Sequence, residues 1–549
     1  MKTTVCIDVN KKNLVKSLKF SFTNRTTVLG ELMQNARRAG STRVMFDFDP
    51  EHSALLVTDN GCGIGSAEDL LTVAESGWDA ETKVNEHPFG MGFLSALYSC
   101  RHFQVTSKFG QLEGNADNAL ALDGLQLDTS IDWGGMTTIR LSGFDTEEKD
   151  LKATLSRLAM GFPIEVWLNG DLLPNPVAME LVYPAMPERR PHFQETEVGW
   201  LHIRCQHAIQ GVPVESGEFR VYLQGLPIYK SAYADHPECC HIIHLDPARF
   251  FARIPDRDKL INESEVVNLV KAVLTQQVRL RLENLKASLP ATTFAATYPV
   301  LARWGCVDLL NDVEVLPVEC VEYVTDYPNL DEDLFGEFME HPKEPVSMGD
   351  IASGKVEVVI LDEDIRSEGA ARHMYTWKQG ALVYRRGLAD GHWLHAYVRK
   401  LDDETVQVEV IGERHSAAFR GCWVWVDVTF CEGYRITVGG DSVEIRDYAM
   451  YEGEDAGENV LMPTDAALNA DVLTQVSSFK GEYDDFEKTA FETDSHDYRV
   501  FLVANSTNDP ATALKQLLPD LRCCPALFGK RFVVSLDSEG MVVAAVEAA

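Results

Sequence analysis

Positive charge is what this 549-residue chain is short of: 50 Lys and Arg stand against 84 Asp and Glu, a formal net charge of −34. A surface this acidic repels nucleic-acid phosphates unless basic residues gather into a patch. The sequence has neither a basic tail nor a Lys/Arg run interleaved with aromatics. Direct nucleic-acid binding is disfavoured, and the acidity serves either solubility or a basic partner. Long apolar runs are missing too: nothing reaches the roughly eighteen residues that a membrane helix needs. The opening stretch MKTTVCIDVNKKNLVK has no apolar signal core. The expectation is a soluble, unexported, cytoplasmic protein with no membrane contact. The twelve cysteines include no C-x-x-C pair and fit reduced thiols in a cytoplasm. One dense group, Cys239, Cys240, His241 and His244 with Cys205 and His207 upstream, has zinc-ligand chemistry. Its spacing matches no familiar finger, and strand residues facing alternate sides account for it equally well.

What is present is an ordinary globular composition, 45% apolar, over a length that suits two to four domains. Residues 26–39 read as a helix with the stripe Val28, Leu29, Leu32, Met33 and Ala36, stopped by Gly40. RVMFDFD and ALLVTD read as two strands joined by a turn. Helices are expected over 66–75, from Gly90 to Ser99, and in EEKDLKATLSRLAMGF. TTIRLSGF is a strand, and PIEVWLNGDLL is a hairpin turning at Asn169-Gly170. This mixture, with antiparallel pairing, predicts an α+β chain whose first domain, 1–175, is an α/β sandwich rather than a doubly wound sheet. A second α/β domain, 176–290, ends on a long amphipathic helix with Val267, Val270, Leu274, Val278, Leu282, Leu285 and Leu289 on one face. Residues 291–450 are expected to be β-rich. Residues 451–549 are expected to be an acidic linker, over 451–497, followed by a small α/β element.

Three stretches carry chemistry. In LGELMQNARRAG, Glu31 and Asn35 stand four apart and emerge on one helix face. A carboxylate there can orient or deprotonate a water beside a terminal phosphate, and an amide oxygen can complete a magnesium shell. The plain alternative is an acidic residue near a helix start, favoured by the macrodipole. In VTDNGCGIG, Asp59 follows a strand directly, where a carboxylate can accept a hydrogen bond from an adenine amino group. Gly61 and Gly63 permit close backbone approach. The alternatives are a simple Asp-Asn-Gly turn, or a dinucleotide fingerprint, which fails because Ser66 stands where its third glycine belongs. In HPFGMGF, Gly90 and Gly92 open a helix whose free N–H groups suit phosphate oxygens. The polar loop before it, with Ser76, Gly77 and Lys83, is long enough for a lid. Thr137 begins a strand whose phase turns its hydroxyl inward.

Glu-x-x-x-Asn, Asp-x-Gly-x-Gly, the glycine pair and the strand Thr, in this order, resemble the GHKL ATPases: gyrase, the ninety-kilodalton heat-shock chaperones, histidine kinases and MutL. ELMQNARRAGSTRV is closest to MutL-like and MORC-like segments, whereas FGMGFLSA and PIEVWLNG are more similar to the chaperones. The resemblance implies a Bergerat-type fold binding ATP and Mg2+, with Glu31 as general base and Asn35 as magnesium ligand. Asp59 would contact adenine, flanked by Gly61 and Gly63; Gly90 and Gly92 would hold phosphates and Thr137 would support the base. FRVYLQGLPIYKS and FARIPDRDKLINE resemble the transducer-like middle domain, from which a basic residue reaches the γ-phosphate; Arg257 fits best and Lys259 second. The chain departs from the pattern at His87, where the family usually has the first lid glycine.

Among functions of this superfamily, a histidine kinase needs a phospho-accepting His ahead of its ATP domain, and no His precedes the Glu31 helix. A topoisomerase needs a basic DNA track. A MutL-type endonuclease needs a metal motif that DSHDYRV does not supply. The leading expectation is an Mg-dependent ATPase acting as a nucleotide-gated dimeric clamp or chaperone-like machine, a homodimer on ATP binding with an unknown protein partner or client. The alternative is a nucleotide-switched interaction protein with little turnover, in a defence or chromosome-associated complex.

Overall fold

The computed structural model describes residues 10–21, 27–72, 78, 92–179, 192–209, 212–236, 239–253, 257–361, 365–366, 368–385, 387–453, 457–466, 471–506, 509, 511, 514–515, 518, 524–538 and 542–547. Helices and sheets are mixed along the whole chain, which divides into two compact units, Met1–Ser288 and Leu289–Ala549. No described helix is long and apolar enough to cross a membrane.

Among the described residues the first unit contains an eight-stranded sheet, a five-stranded sheet and a two-stranded ribbon. Strands β1 Arg43–Asp49, β2 Ala54–Asp59, β3 His102–Ser107, β4 Gly110–Asn115, β5 Gln126–Asp128, β6 Thr137–Ser142, β7 Glu165–Leu168 and β8 Asp171–Leu172 lie in the order β5-β4-β3-β6-β2-β1-β7-β8. All neighbours are antiparallel except β1 and β7. Apolar residues alternate along each central strand, so Val44, Phe46, Leu55, Val57, Phe103, Val105, Ile139 and Leu141 are buried on one face. Helices Thr27–Arg38, Gly92–Ser99 and Glu148–Ala159 supply the other half of that core through Leu29, Met33, Leu97, Leu151 and Leu155. The β7–β8 hairpin turns at Asn169 and Gly170, both at positive φ, as a two-residue reversal of this hand requires.

The second sheet holds β9 Gln194–Thr196, β10 Gly199–His202, β13 Phe219–Leu223, β14 Leu226–Lys230 and β15 His241–Leu245, in the order β14-β13-β15-β10-β9; β11 Cys205–Ile209 and β12 Val212–Glu215 form a separate ribbon. The closing helix, Glu263–Ser288, buries Val267, Val270, Leu274, Val278 and Leu282, with Val273 added to the expected stripe. The β13–β14 hairpin turns at Gln224 (φ 53°) and Gly225 (φ 80°). A Cβ on Gly225 would sit 2.7 Å from Pro163 Cδ, and one on Gly161 would sit 2.4 Å from Tyr222 Cδ1. Two glycines thus let this hairpin tip seat against the segment that follows the Glu148–Ala159 helix.

In the second unit, residues 291–450 carry more helix than their alternation suggests, including Glu368–Gln379, most of whose residues are buried. The linker expected over 451–497 is overturned in its described part. The strand Asn459–Pro463 pairs with Trp425–Cys431 and Met450–Glu452, and Val460, Leu461, Met462, Leu473 and Phe479 are core. Acidic residues recur throughout that stretch, but the apolar residues between them supply these buried positions. The helix Lys488–Ser506 begins ahead of the small element expected at the end, whose described part is chiefly the hairpin Phe532–Leu536 and Val542–Glu547.

The histidines of CCHIIH are structural. His241 accepts Arg204 N–H on Nδ1 at 3.1 Å and its Nε2 donates to Ser216 O at 2.5 Å, while His244 Nε2 donates to Val177 O at 2.8 Å. Among the described residues, no group of three or more His, Cys, Asp or Glu converges to hold a metal. Burial pushes both imidazoles down to about 4 from an ordinary 6.5. Between those values the unfolded chain binds protons that the folded one refuses, so stability falls as pH drops from about 6.5 towards about 4. Each ring contributes on the order of 3 kcal/mol to that loss. Thermal unfolding of the first unit should show this slope, and His244→Gln should flatten it; an unchanged slope removes His244 from the account.

Candidate functional site

The helix Thr27–Arg38 exists because Val28, Leu29, Leu32, Met33 and Ala36 form a buried stripe, and it ends at Gly40, which has φ 71°. Glu31 and Gln34 are buried beside that stripe, and Asn35 is half-buried one turn beyond Glu31. Gly92, at the start of the helix Gly92–Ser99, packs directly over them. A Cβ there would lie 2.8 Å from Glu31 Oε2 and 3.5 Å from Asn35 Nδ2, so glycine leaves open a cradle that any side chain would fill. Among the described residues the Asn35 amide makes no side-chain hydrogen bond, which leaves its oxygen available to a hard cation.

Asp59 sits at the end of β2, where its carboxylate uses one oxygen only. Oδ1 accepts from Ser41 Oγ and from Gly61 N, both at 2.9 Å, while among the described residues Oδ2 has no partner. Burial pushes the Asp59 carboxyl up, against the lowering effect of those two donors. The following loop is tied to the end of the Glu31 helix. Cys62 N donates to Ala39 O at 2.8 Å, and a Cβ on Gly61 would lie 2.5 Å from Ala39 Cβ. Gly63 has φ 76° and faces Trp133, whose ring a Cβ would meet at 2.8 Å. Thr137 pairs with Asp59 across β6 and β2 and is buried. Its hydroxyl lies 2.9 Å from Ser107 Oγ, which accepts Ile64 N–H at 2.8 Å, so the glycine loop, β3 and β6 are joined at one point.

Arg257 reaches this helix from the loop before Glu263–Ser288. Its Nε donates to Glu31 Oε1 at 2.7 Å, and the two side chains are only 12% and 9% exposed. Its backbone is left-handed, φ 52°, a conformation that a non-glycine residue adopts at a cost and that aims the side chain. Gln224, at the hairpin tip, completes the cluster. Its Oε1 accepts from Arg257 Nη1 at 3.2 Å and Arg38 Nη2 at 3.4 Å, and its backbone O accepts from Gln34 Nε2 at 2.9 Å. Lys259 is exposed and makes no such contact with Glu31. Gly90, with His87, Lys83, Ser76 and Gly77, lies outside the described residues.

Glu31, Asn35, Gly92 and Arg257 therefore meet at one end of the site, and Asp59, Gly61, Gly63 and Thr137 at the other, bridged by the end of one helix. Sequence reasoning missed Gln224, Ser41 and Ser107. Gln-Gly between two strands signals a turn, but nothing in the spacing signals what the tip touches. No protein-family model matches this chain, and no curated protein matches it significantly.

Removing one partner of a buried ion pair strands the other, a loss of about 3 kcal/mol. Arg257→Ala should destabilise the first unit by that order in denaturant unfolding. Adding Glu31→Gln should recover part of it, because the stranded charge is gone. Strictly additive losses would mean that the pair is not coupled.

Proposed function

We propose that this chain is a GHKL-type, Mg-dependent ATPase, with a Bergerat-type domain over 1–175, a transducer-like domain over 176–290 and an acidic, β-rich remainder. It acts as a nucleotide-gated dimeric clamp or chaperone-like machine that self-associates on binding ATP. The observation that carries this reading is the convergence of Glu31, Asn35 and Gly92 beneath Arg257, from two helices and a loop far apart in the chain. In it, Asp59 Oδ2 accepts the adenine amino group, with Gly61 and Gly63 allowing the ring to approach and Thr137 holding the strand end through Ser107. Gly92, with Gly90, offers backbone N–H groups to phosphate. Asn35 holds Mg2+, whose charge offsets that of the phosphates. Glu31 orients and deprotonates water, and Arg257 steadies charge that develops on the phosphate as the bond breaks.

Arg257 donating to Glu31 has a consequence for this chemistry. Glu31 Oε1 is taken up by Arg257 Nε, so the pair must part before that oxygen can accept from a water, and a γ-phosphate is the natural competitor for the arginine. Turnover is then gated by how firmly Gln224 and Glu31 hold Arg257. The same contact favours a second reading, a nucleotide-switched interaction protein with little turnover, in which the pair seldom opens.

An ATPase assay with light scattering separates the two. Wild type should hydrolyse ATP and self-associate with ATP analogues. Glu31→Ala should keep nucleotide binding and lose about a hundred- to ten-thousand-fold in turnover. Failure to bind, or normal hydrolysis, overturns the role of Glu31; binding without turnover in wild type favours the switch.

Asp59→Asn should weaken ATP binding by roughly 1.5–3 kcal/mol and relax the preference for adenine, since an amide can turn donor or acceptor to the base. The folded carboxyl titrates above its unfolded value, so ionised Asp59 costs stability that is lost as pH rises through that window. The variant should therefore melt higher at neutral pH while binding less. Unchanged affinity by calorimetry removes Asp59 from the pocket.

A further inference from the structure

In the second unit, strands His415–Arg420 and Trp425–Cys431 form a hairpin at one edge of a four-stranded sheet. The tip is held by Asp494, a fully buried side chain on the helix Lys488–Ser506. Its carboxylate accepts three successive backbone N–H groups, from Cys422 at 2.5 Å and from Trp423 and Val424 at 2.8 Å. A Cβ on Gly421 would lie 2.5 Å from Asp494 Oδ1, so glycine is what lets the tip close over the carboxylate. Trp423 and Trp425 stand outward from this anchored tip, 41% and 64% exposed, with buried Val424 between them facing inward. Trp425 Nε1 donates to Gly421 O at 3.0 Å, which fixes the ring.

Two tryptophans on a braced turn form a contact surface that loses little freedom when it is covered, and such rings dominate binding where they occur at interfaces. The surroundings say what covers them. Across the strands Arg420 stands beside Trp425, but its guanidinium is engaged by Asp427 and by the Phe419 and Val426 carbonyls. The next outward positions are Asp427, then Asn459, which donates to Glu452 at 3.3 Å. Asp427 is paired with Arg420, which leaves Glu452 as the carboxylate of this row with no cation among the described residues, in a chain of net charge −34. Indole is the aromatic ring that attracts cations most strongly.

We propose that the Trp423–Trp425 tip is a docking surface for an extended basic segment of a partner protein, whose Lys or Arg side chains lie over the indoles while a neighbouring positive charge faces Glu452. This surface is independent of the nucleotide reading. The test is fluorescence anisotropy of a labelled Lys/Ser peptide with the full chain, beside its Glu/Ser counterpart, with calorimetry of a cello-oligosaccharide as a third arm. The basic peptide should bind, and Trp423→Ala and Trp425→Ala should each weaken it about tenfold. Trp425→Phe should fall between. The Trp425 ring lies largely in solvent, so far-ultraviolet circular dichroism of its variants should be unchanged. Wild-type affinity in Trp425→Ala would assign the attraction to overall charge and overturn the proposal. Equal binding of the acidic peptide, or binding of the oligosaccharide alone, would overturn it as well.

Discussion

A carboxylate taken out of water needs an opposite charge, and for Glu31 that charge is Arg257, 226 residues further along the chain. Much of the first unit is arranged so that this arginine can arrive. The hairpin tip at Gln224 must come down on the Thr27–Arg38 helix, which requires glycine at 161 and at 225. Gly92 must lack a side chain so that Glu31 and Asn35 keep their places. The left-handed turn at Arg257 then delivers the guanidinium. Each condition is local, yet together they tie the edge of one sheet to a helix of the other.

At the other end of the site the logic differs. Asp59 is half-buried, and among the described residues it is held by two neutral donors on a single oxygen and by no cation. Such a group is costly to the folded protein and valuable to a ligand that brings a donor of its own. Glu31 is held by a cation and Asp59 by neutral donors, two different ways of taking a carboxylate out of water, separated by the end of one helix.

Asp494 in the second unit shows that a buried carboxylate can also be purely architectural. It belongs to DSHDYRV, which the sequence offers as a poor metal motif, and its partners are three backbone N–H groups rather than a metal. Arg399 acts similarly, joining Glu357, Glu404 and Asp441, residues from separate stretches of the chain. Hydrogen-bond geometry, not residue type, separates these clamps from reactive groups.

The sequence by itself determined the periodic elements. The stripe of Thr27–Arg38, the alternation of β1, β2 and β6, the Asn169-Gly170 turn and the long helix after Arg257 are all legible because burial on one face imposes a period on the chain. That period also brings Glu31 and Asn35 to one side of a helix and turns Thr137 inward. Tertiary structure alone decided which basic residue meets Glu31, since Arg257 and Lys259 differ little in spacing. It decided that Gln224 holds the arginine, that His241 and His244 serve backbone groups, and that acidic residues 457–497 contribute a core strand and aromatic packing. These outcomes depend on which surfaces meet at long range, and a local period carries no record of its distant partner.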